Sequence, residues 1–219
     1  MHNKLTTRIG LTLVAAWMAG GALAAAHNDA QFAEAVAAYK AGNKIIAVSA
    51  FRDLAADGNP EAQHNLAILL VKGEGVPRND REALYWAWRA RLSGVKRSVG
   101  LVQLLELETA EDTMELVATK LEKDLMLRIQ DGDAASMLAL GRVKNEVRPE
   151  PDQIGALAWM TVAAAVNVEH AGLLRDALTL EMGVEDRQEA QDMAVKLFDN
   201  WCARDGQDEG VSCATRASR

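Results

Sequence analysis

Cysteine is almost absent from the chain, which has only two, Cys202 and Cys213, both near the C-terminal end. Their spacing excludes Cys-x-x-Cys redox and haem-attachment motifs, and no histidine lies near enough for a zinc pattern. Proline occurs four times and aromatics make up 5% of residues; β-branched runs are also few, and together these shortages disfavour strands. Past residue 26 no apolar run approaches membrane length. The longest, Ile154 to Val168, is Ala-rich and reads as a buried helix. Positive charge is in deficit, with a net charge of −7 and no basic stripe beyond pairs such as Lys96-Arg97, so nucleic acid is excluded as a partner. No Gly-x-Ser-x-Gly or His-Glu-x-x-His is present, and no calcium-type loop of alternating oxygen ligands, so neither metal nor cofactor is expected.

The N-terminus is read apart from the fold. Lys4 and Arg8 precede an uncharged apolar run from Ile9 to Ala19, Gly20-Gly21 breaks it, and Ala24-Ala25-Ala26 offers the small residues that signal peptidases accept. Residues 1–26 are thus expected to be a secretory signal peptide, with the mature chain periplasmic or secreted. An uncleaved anchor is the alternative, since Ile9 to Ala26 is uncharged, though its later half is Ala and Gly rather than Leu. Removing two positive charges takes the net charge from −7 to −9. In an oxidising compartment two cysteines favour a disulfide, so Cys202 and Cys213 are expected to tie a tail, 204–219, to the last helix.

What the sequence has in abundance is helix. Ala62, Leu66, Leu69 and Leu70 recur at spacings of three and four, as do Ala83, Trp86, Ala87 and Ala90. Glycines at 42, 58, 73, 75, 94, 132 and 183 divide the chain into helical segments. A repeat underlies them. Asp57-Gly58-Asn59, Leu66-Ala67, Pro77 and Trp86 are echoed by Asp131-Gly132-Asp133, Leu140-Gly141, Pro151 and Trp159, and Val117–Leu125 by Met193–Trp201. The offset holds near 74 residues, which predicts a duplicated four-helix module, with helix pairs starting near Asn28, Asn59, Lys96, Asp133 and Glu169. Helical units of that period stack on their neighbours to bury their faces.

Ala62-Gln63-His64-Asn65-Leu66-Ala67, then Gly73-Glu74-Gly75-Val76-Pro77, then Asp80, Ala83 and Trp86, resembles the Sel-one-like repeat, a relative of the tetratricopeptide repeat. Residues 59–94 match closely, with Ala67 at the family's usual Gly. Residues 133–168 match in part, with Asn145-Glu146-Val147 in place of the Gly-x-Gly. The pairs 28–57, 96–131 and 169–202 resemble the degenerate units that flank such repeats. The resemblance implies an all-α fold, a right-handed α/α solenoid of about five helix pairs over 27–203, which binds other proteins and performs no chemistry. Gly73-Glu74-Gly75 then reads as a turn and not a phosphate loop, because no strand precedes it and Val-Pro rather than Lys-Ser or Lys-Thr follows.

Several groups carry a functional and a plain reading side by side. Trp86, echoed by Trp159, is expected to pack between repeats, while Tyr85 and Trp88 are left open between core and surface. The acidic group Glu106, Glu108, Glu111, Asp112 and Glu115 reads as a solvated helix entrance, with Glu111 and Asp112 suiting the helix dipole. His64 is either a helix-packing histidine or a ligand contact. First helices of stacked pairs share a concave face, so their polar residues are the candidate partner contacts: Gln63, His64 and Asn65, Arg97 and Gln103, Arg142 and Lys144, and Arg175. The expected function is an exported scaffold for a protein or peptide, without catalysis or membrane insertion. The alternative is an envelope enzyme, a cell-wall hydrolase or antibiotic-inactivating activity, with a site no motif reveals.

Overall fold

A computed structural model describes residues 28–205 of the chain, and side-chain environments as far as Ala203. All regular structure among the described residues is helical: α1 (28–40), α2 (Lys44–Ala56), α3 (Pro60–Lys72), α4 (Asp80–Leu92), α5 (Ser98–Leu107), α6 (Glu111–Gln130), α7 (Ala135–Glu146), α8 (Gln153–Ala165), α9 (Ala171–Glu181) and α10 (Val184–Asp205). The expected starts of the five pairs fall at the heads of α1, α3, α5, α7 and α9. The fold is therefore the all-α, helical-repeat class, with helices adjacent in sequence packed on each other. The expected signal peptide lies outside the described residues. No helix among the described residues is long and apolar enough to cross a membrane.

Local chemistry explains the punctuation. Asn59 caps α3 by accepting the Ala62 N–H at 2.9 Å, with Pro60 following at the first helical position, where a missing N–H costs nothing. Asp152 caps α8 through the Gly155 N–H at 2.8 Å. Gly42, Gly58, Gly94 and Gly132 all carry positive φ between helices, and Asn167 (φ 61°) takes that conformation after α8, one module on from Gly94. Asn tolerates the left-handed region better than other side chains.

The chain divides between Asn79 and Asp80 into two compact units. In the first, α2 packs on α3 over a core that includes Val48, Phe51, Leu66 and Leu70. Phe32 of α1 meets the edge of Phe51 at 5.7 Å between ring centroids. In the second, α4 packs on α5 and α6, α6 on α7, α7 on α8, and α8 on both α9 and α10. Ala156, Leu157, Met160, Leu178, Met182 and Ala190 form one of its buried clusters, with Leu138, Ile154 and Leu174 against it.

The Gly-x-Gly is a turn held by two requirements. Gly73 ends α3 in the left-handed conformation (φ 66°, ψ 31°). Gly75 (φ 75°) lies so close to α2 that a Cβ there would sit 2.4 Å from the Lys44 carbonyl oxygen. Only glycine fits both the angle and the approach.

The disulfide expectation falls partly outside the described residues. Cys202 lies on α10, but Cys213 is outside the described residues, so no bridge has both ends within the described structure. Cys202 is not a free thiol, and the chain beyond Asp205, which the expected bridge would tie, lies outside the described residues.

Candidate partner-binding surface

The sequence-predicted contacts are scattered in environment. In the first unit Gln63 is 1% exposed, its Nε2 donating to the Ala55 carbonyl at 3.2 Å while its Oε1 is buried without a partner. His64 is buried as well, and that burial lowers its imidazole pKa. Asn65 beside them is half-buried. In the second unit Gln103 is exposed on α5 and Arg97 is exposed just before it. Arg142 and Lys144 are half-buried on α7 and paired locally, and Arg175 of α9 pairs with Asp176 at 2.7 Å.

Glu74, the middle residue of the Gly-x-Gly, organises its loop. It accepts from the Tyr39 hydroxyl at 2.8 Å and pairs with the Lys44 ammonium at 3.0 Å, so the loop is fastened to the ends of α1 and α2. The Lys44 hydrogen bond, then that from Tyr39, holds the Glu74 carboxyl below its ordinary pKa; the same contact raises that of Tyr39. The matching residue in the second module, Glu146, plays a like part. It accepts from Arg142 at 2.8 and 3.1 Å and from Arg91 at 2.8 Å.

From Glu146 an ionic seam runs through the second unit. Lys144 reaches Asp152 at 2.8 Å and Glu122 at 3.7 Å, and Arg148 reaches Glu122 at 2.7 Å and Glu115 at 2.6 Å. Burial opposes charge on Asp152, but Lys144 and the Gly155 N–H outweigh it and lower its pKa. These cations are spent on carboxylates of the same chain. They stitch α4, α6, α7 and the head of α8 together, and Glu115 of the acidic group takes part.

The aromatic residues of α4 divide differently from expectation. Trp88 is fully buried, Tyr85 is 5% exposed, and Trp86 is only half-buried; its repeat equivalent Trp159 is buried. Trp88 donates its indole N–H to Glu106 at 3.2 Å and carries the Arg91 guanidinium 4.2 Å from its ring centroid. Burial raises the Glu106 pKa against the opposing pull of Arg91 and Trp88. Tyr85 donates to Asp124 at 2.6 Å and accepts from Arg89 at 3.0 Å, with the Lys120 ammonium 3.8 Å from its ring centroid.

The second unit also leaves several large apolar side chains open to solvent. On α5, Leu104 is 52% and Leu107 86% exposed; on α9, Leu173 is 73% and Leu180 86%. Leu173, Ala177 and Leu180 are spaced four and three apart, which puts them on one helical stripe. Both helices are first members of their pairs. These leucines fall outside the buried period of their helices, a signal that the sequence carries. Among the described residues no group of three or more His, Cys, Asp and Glu side chains could hold a metal ion.

No protein-family model matches the chain, and none of the curated proteins matches it. A solved structure is similar to it: a protective antigen present in uropathogenic Escherichia coli strains, displaying an SLR fold, at 17% identity and a TM-score of 0.33. The match covers 85% of this chain and 49% of that one, so the chain spans about half the length of that protein.

Proposed function

We propose that the chain is an exported helical-repeat adaptor of Sel-one-like type, which holds a protein partner and carries out no reaction of its own. The observation that carries the reading is the set of nearly bare leucines on α5 and α9, Leu107 and Leu180 above all. A large apolar side chain left in water forgoes roughly 1.5–3 kcal/mol that burial would release. Several of them on the first helices of the third and fifth pairs suit a covering partner better than solvent. Gln103 beside Leu104 supplies a polar contact within the same patch. The half-buried cations on α7 hold that helix in place rather than reaching for a ligand.

Two variants of the full chain test this. Leu107→Glu and Leu180→Glu should each cut co-purification of partner from the native envelope at least tenfold while leaving the melting temperature within about 1 °C, as exposed positions do. Unchanged capture by both, with loss instead on Arg142→Ala, would return the site to the polar face of α7. Export after removal of residues 1–26 is part of the proposal, and the intact mass of the secreted chain tests it.

A further inference from the structure

A groove lies between α1 and α2 in the first unit, about 250 Å³ in volume. Its floor is Ala35, Ala38, Ala50 and Leu54, and Ile46, 62% exposed, stands at one end. Three exposed carboxylates, Glu34, Asp53 and Asp57, line it as well. The residues fall on two helical stripes. On α2 they are 46, 50, 53 with 54, and 57; on α1 they are 31, 34 with 35, and 38. Spacings of three and four make ridges, and two neighbouring ridges make the seat that a third helix needs. The opposite side of α2 is already used, since Ala47, Val48, Phe51 and Ala55 are buried.

Alanine on the floor lets an incoming backbone come close, and Ile46 gives it apolar surface to cover. The rim selects the visitor. None of the exposed Glu34, Asp53 and Asp57 forms an ion pair with a described residue, so among the described residues three carboxylates line an apolar floor with no matching cation. A nucleic acid or an anionic lipid surface is repelled by such a rim. A second copy presenting the same groove would set carboxylate against carboxylate, which costs affinity. A helix with small or apolar residues on one face and lysine or arginine along both flanks meets every feature.

We propose that the α1–α2 groove docks a basic amphipathic helix of a partner protein, its apolar face over Ala38 and Ala50 and its cations against Glu34, Asp53 and Asp57. The inference rests on the adaptor reading and names one partner class for it, at a place apart from the leucines of α5 and α9. The probes are two labelled synthetic helices of identical Ala/Leu face, one flanked by lysines and one by glutamates, titrated into the full chain by fluorescence anisotropy. The lysine-flanked helix should bind saturably and at least tenfold tighter than the other, with affinity falling as salt rises. Glu34→Gln/Asp53→Asn/Asp57→Asn, all at exposed positions, should weaken it at least tenfold, and Ala50→Trp should do so by filling the groove. Leu107→Glu should leave it unchanged. Equal binding of both helices, no saturation by either, or indifference to the triple variant overturns the proposal. None of those results touches the capture assay on the α5 and α9 leucines, so the two readings fail separately.

Discussion

Gly141 offers the sharpest test of the packing between α7 and α8. It sits inside α7, where glycine costs roughly 1 kcal/mol relative to alanine in helical propensity, so Gly141→Ala viewed as a local change should stabilise. The packing says otherwise. A Cβ on residue 141 would lie 2.8 Å from Met160 Cγ and 3.0 Å from the Ala156 carbonyl oxygen. Carbon atoms rest about 3.5–4.0 Å apart, so the methyl needs several tenths of an ångström that the backbone of α8 must yield. Overpacking of this kind costs about 1–3 kcal/mol. Offset by the propensity gain, Gly141→Ala should lose about 1 kcal/mol, or roughly 2–4 °C in melting temperature for a chain of this size. Gly100 in α5 supplies the control, because nothing lies within 4 Å of a Cβ built there. Gly100→Ala should be neutral or stabilise by a few tenths of a kcal/mol up to about 1. Thermal and urea unfolding of the two variants beside the parent decide it. If Gly141→Ala melts at or above the parent, the close approach of α7 to α8 is wrong.

Two further substitutions read the polar interior of the second unit. Glu106 has its pKa raised by burial, so its effect on stability is most favourable below the ordinary carboxylate pKa and is lost as pH rises through the raised value. Glu106→Gln keeps an acceptor for the Trp88 N–H and removes the half-buried charge; at pH 7 it should stabilise by on the order of 0.5 kcal/mol after allowance for solvent screening and so raise the melting temperature, and at pH 4 it should change little. A lower melting temperature at pH 7 would mean that attraction to Arg91 outweighs burial. Tyr85→Phe removes the hydroxyl that donates to Asp124 and accepts from Arg89, leaving a buried guanidinium short of an acceptor. It should cost about 2 kcal/mol in urea unfolding, and a loss below about 0.5 would show that water replaces the hydroxyl.

The parts of the fold legible in the sequence are those written in local chemistry. The pair start near Asn59 and the turn at Gly73-Glu74-Gly75 rest on residues close together in the chain, and the module offset on the recurrence of such short segments. The partners of the charged residues do not. Arg142–Glu146 is an i, i+4 pair and visible in principle, but Arg91 finds Glu146 across 55 positions and Arg148 finds Glu115 across 33. Arg142 and Lys144 therefore read as free donors although their charges are matched. Helix α4 failed for a different reason. Ala83, Leu84, Tyr85, Ala87, Trp88, Arg89 and Ala90 are all buried, so the helix has almost no solvent face. A periodic pattern identifies the buried side only when there is another side. Trp86 matched the repeat and was expected inside, yet it is Trp88, with Glu106 for its N–H, that fills the core. The same limit hid Gln63 and His64, polar residues on α3, a helix buried through Ala62, Leu66, Ala67, Leu69 and Leu70.

The two modules also show how a repeat keeps a contact while changing the backbone around it. At Gly75 the loop passes so close to α2 that no side chain fits, and Glu74 uses that proximity to hold Lys44 and Tyr39. In the second module α7 runs on through Glu146, and Val147 caps it at φ −104° with its side chain fully buried. Where the first loop needs the absence of a side chain, the second is packed by one. The glutamate survives both solutions because its task is a matter of charge and reach, which a turn and a last helical residue can each satisfy. Glu146 meets that task with two arginines in place of a lysine and a tyrosine. A substitution tolerated at one module is thus no guide to the other at the flanking positions, whereas loss of the central carboxylate strands cations in both.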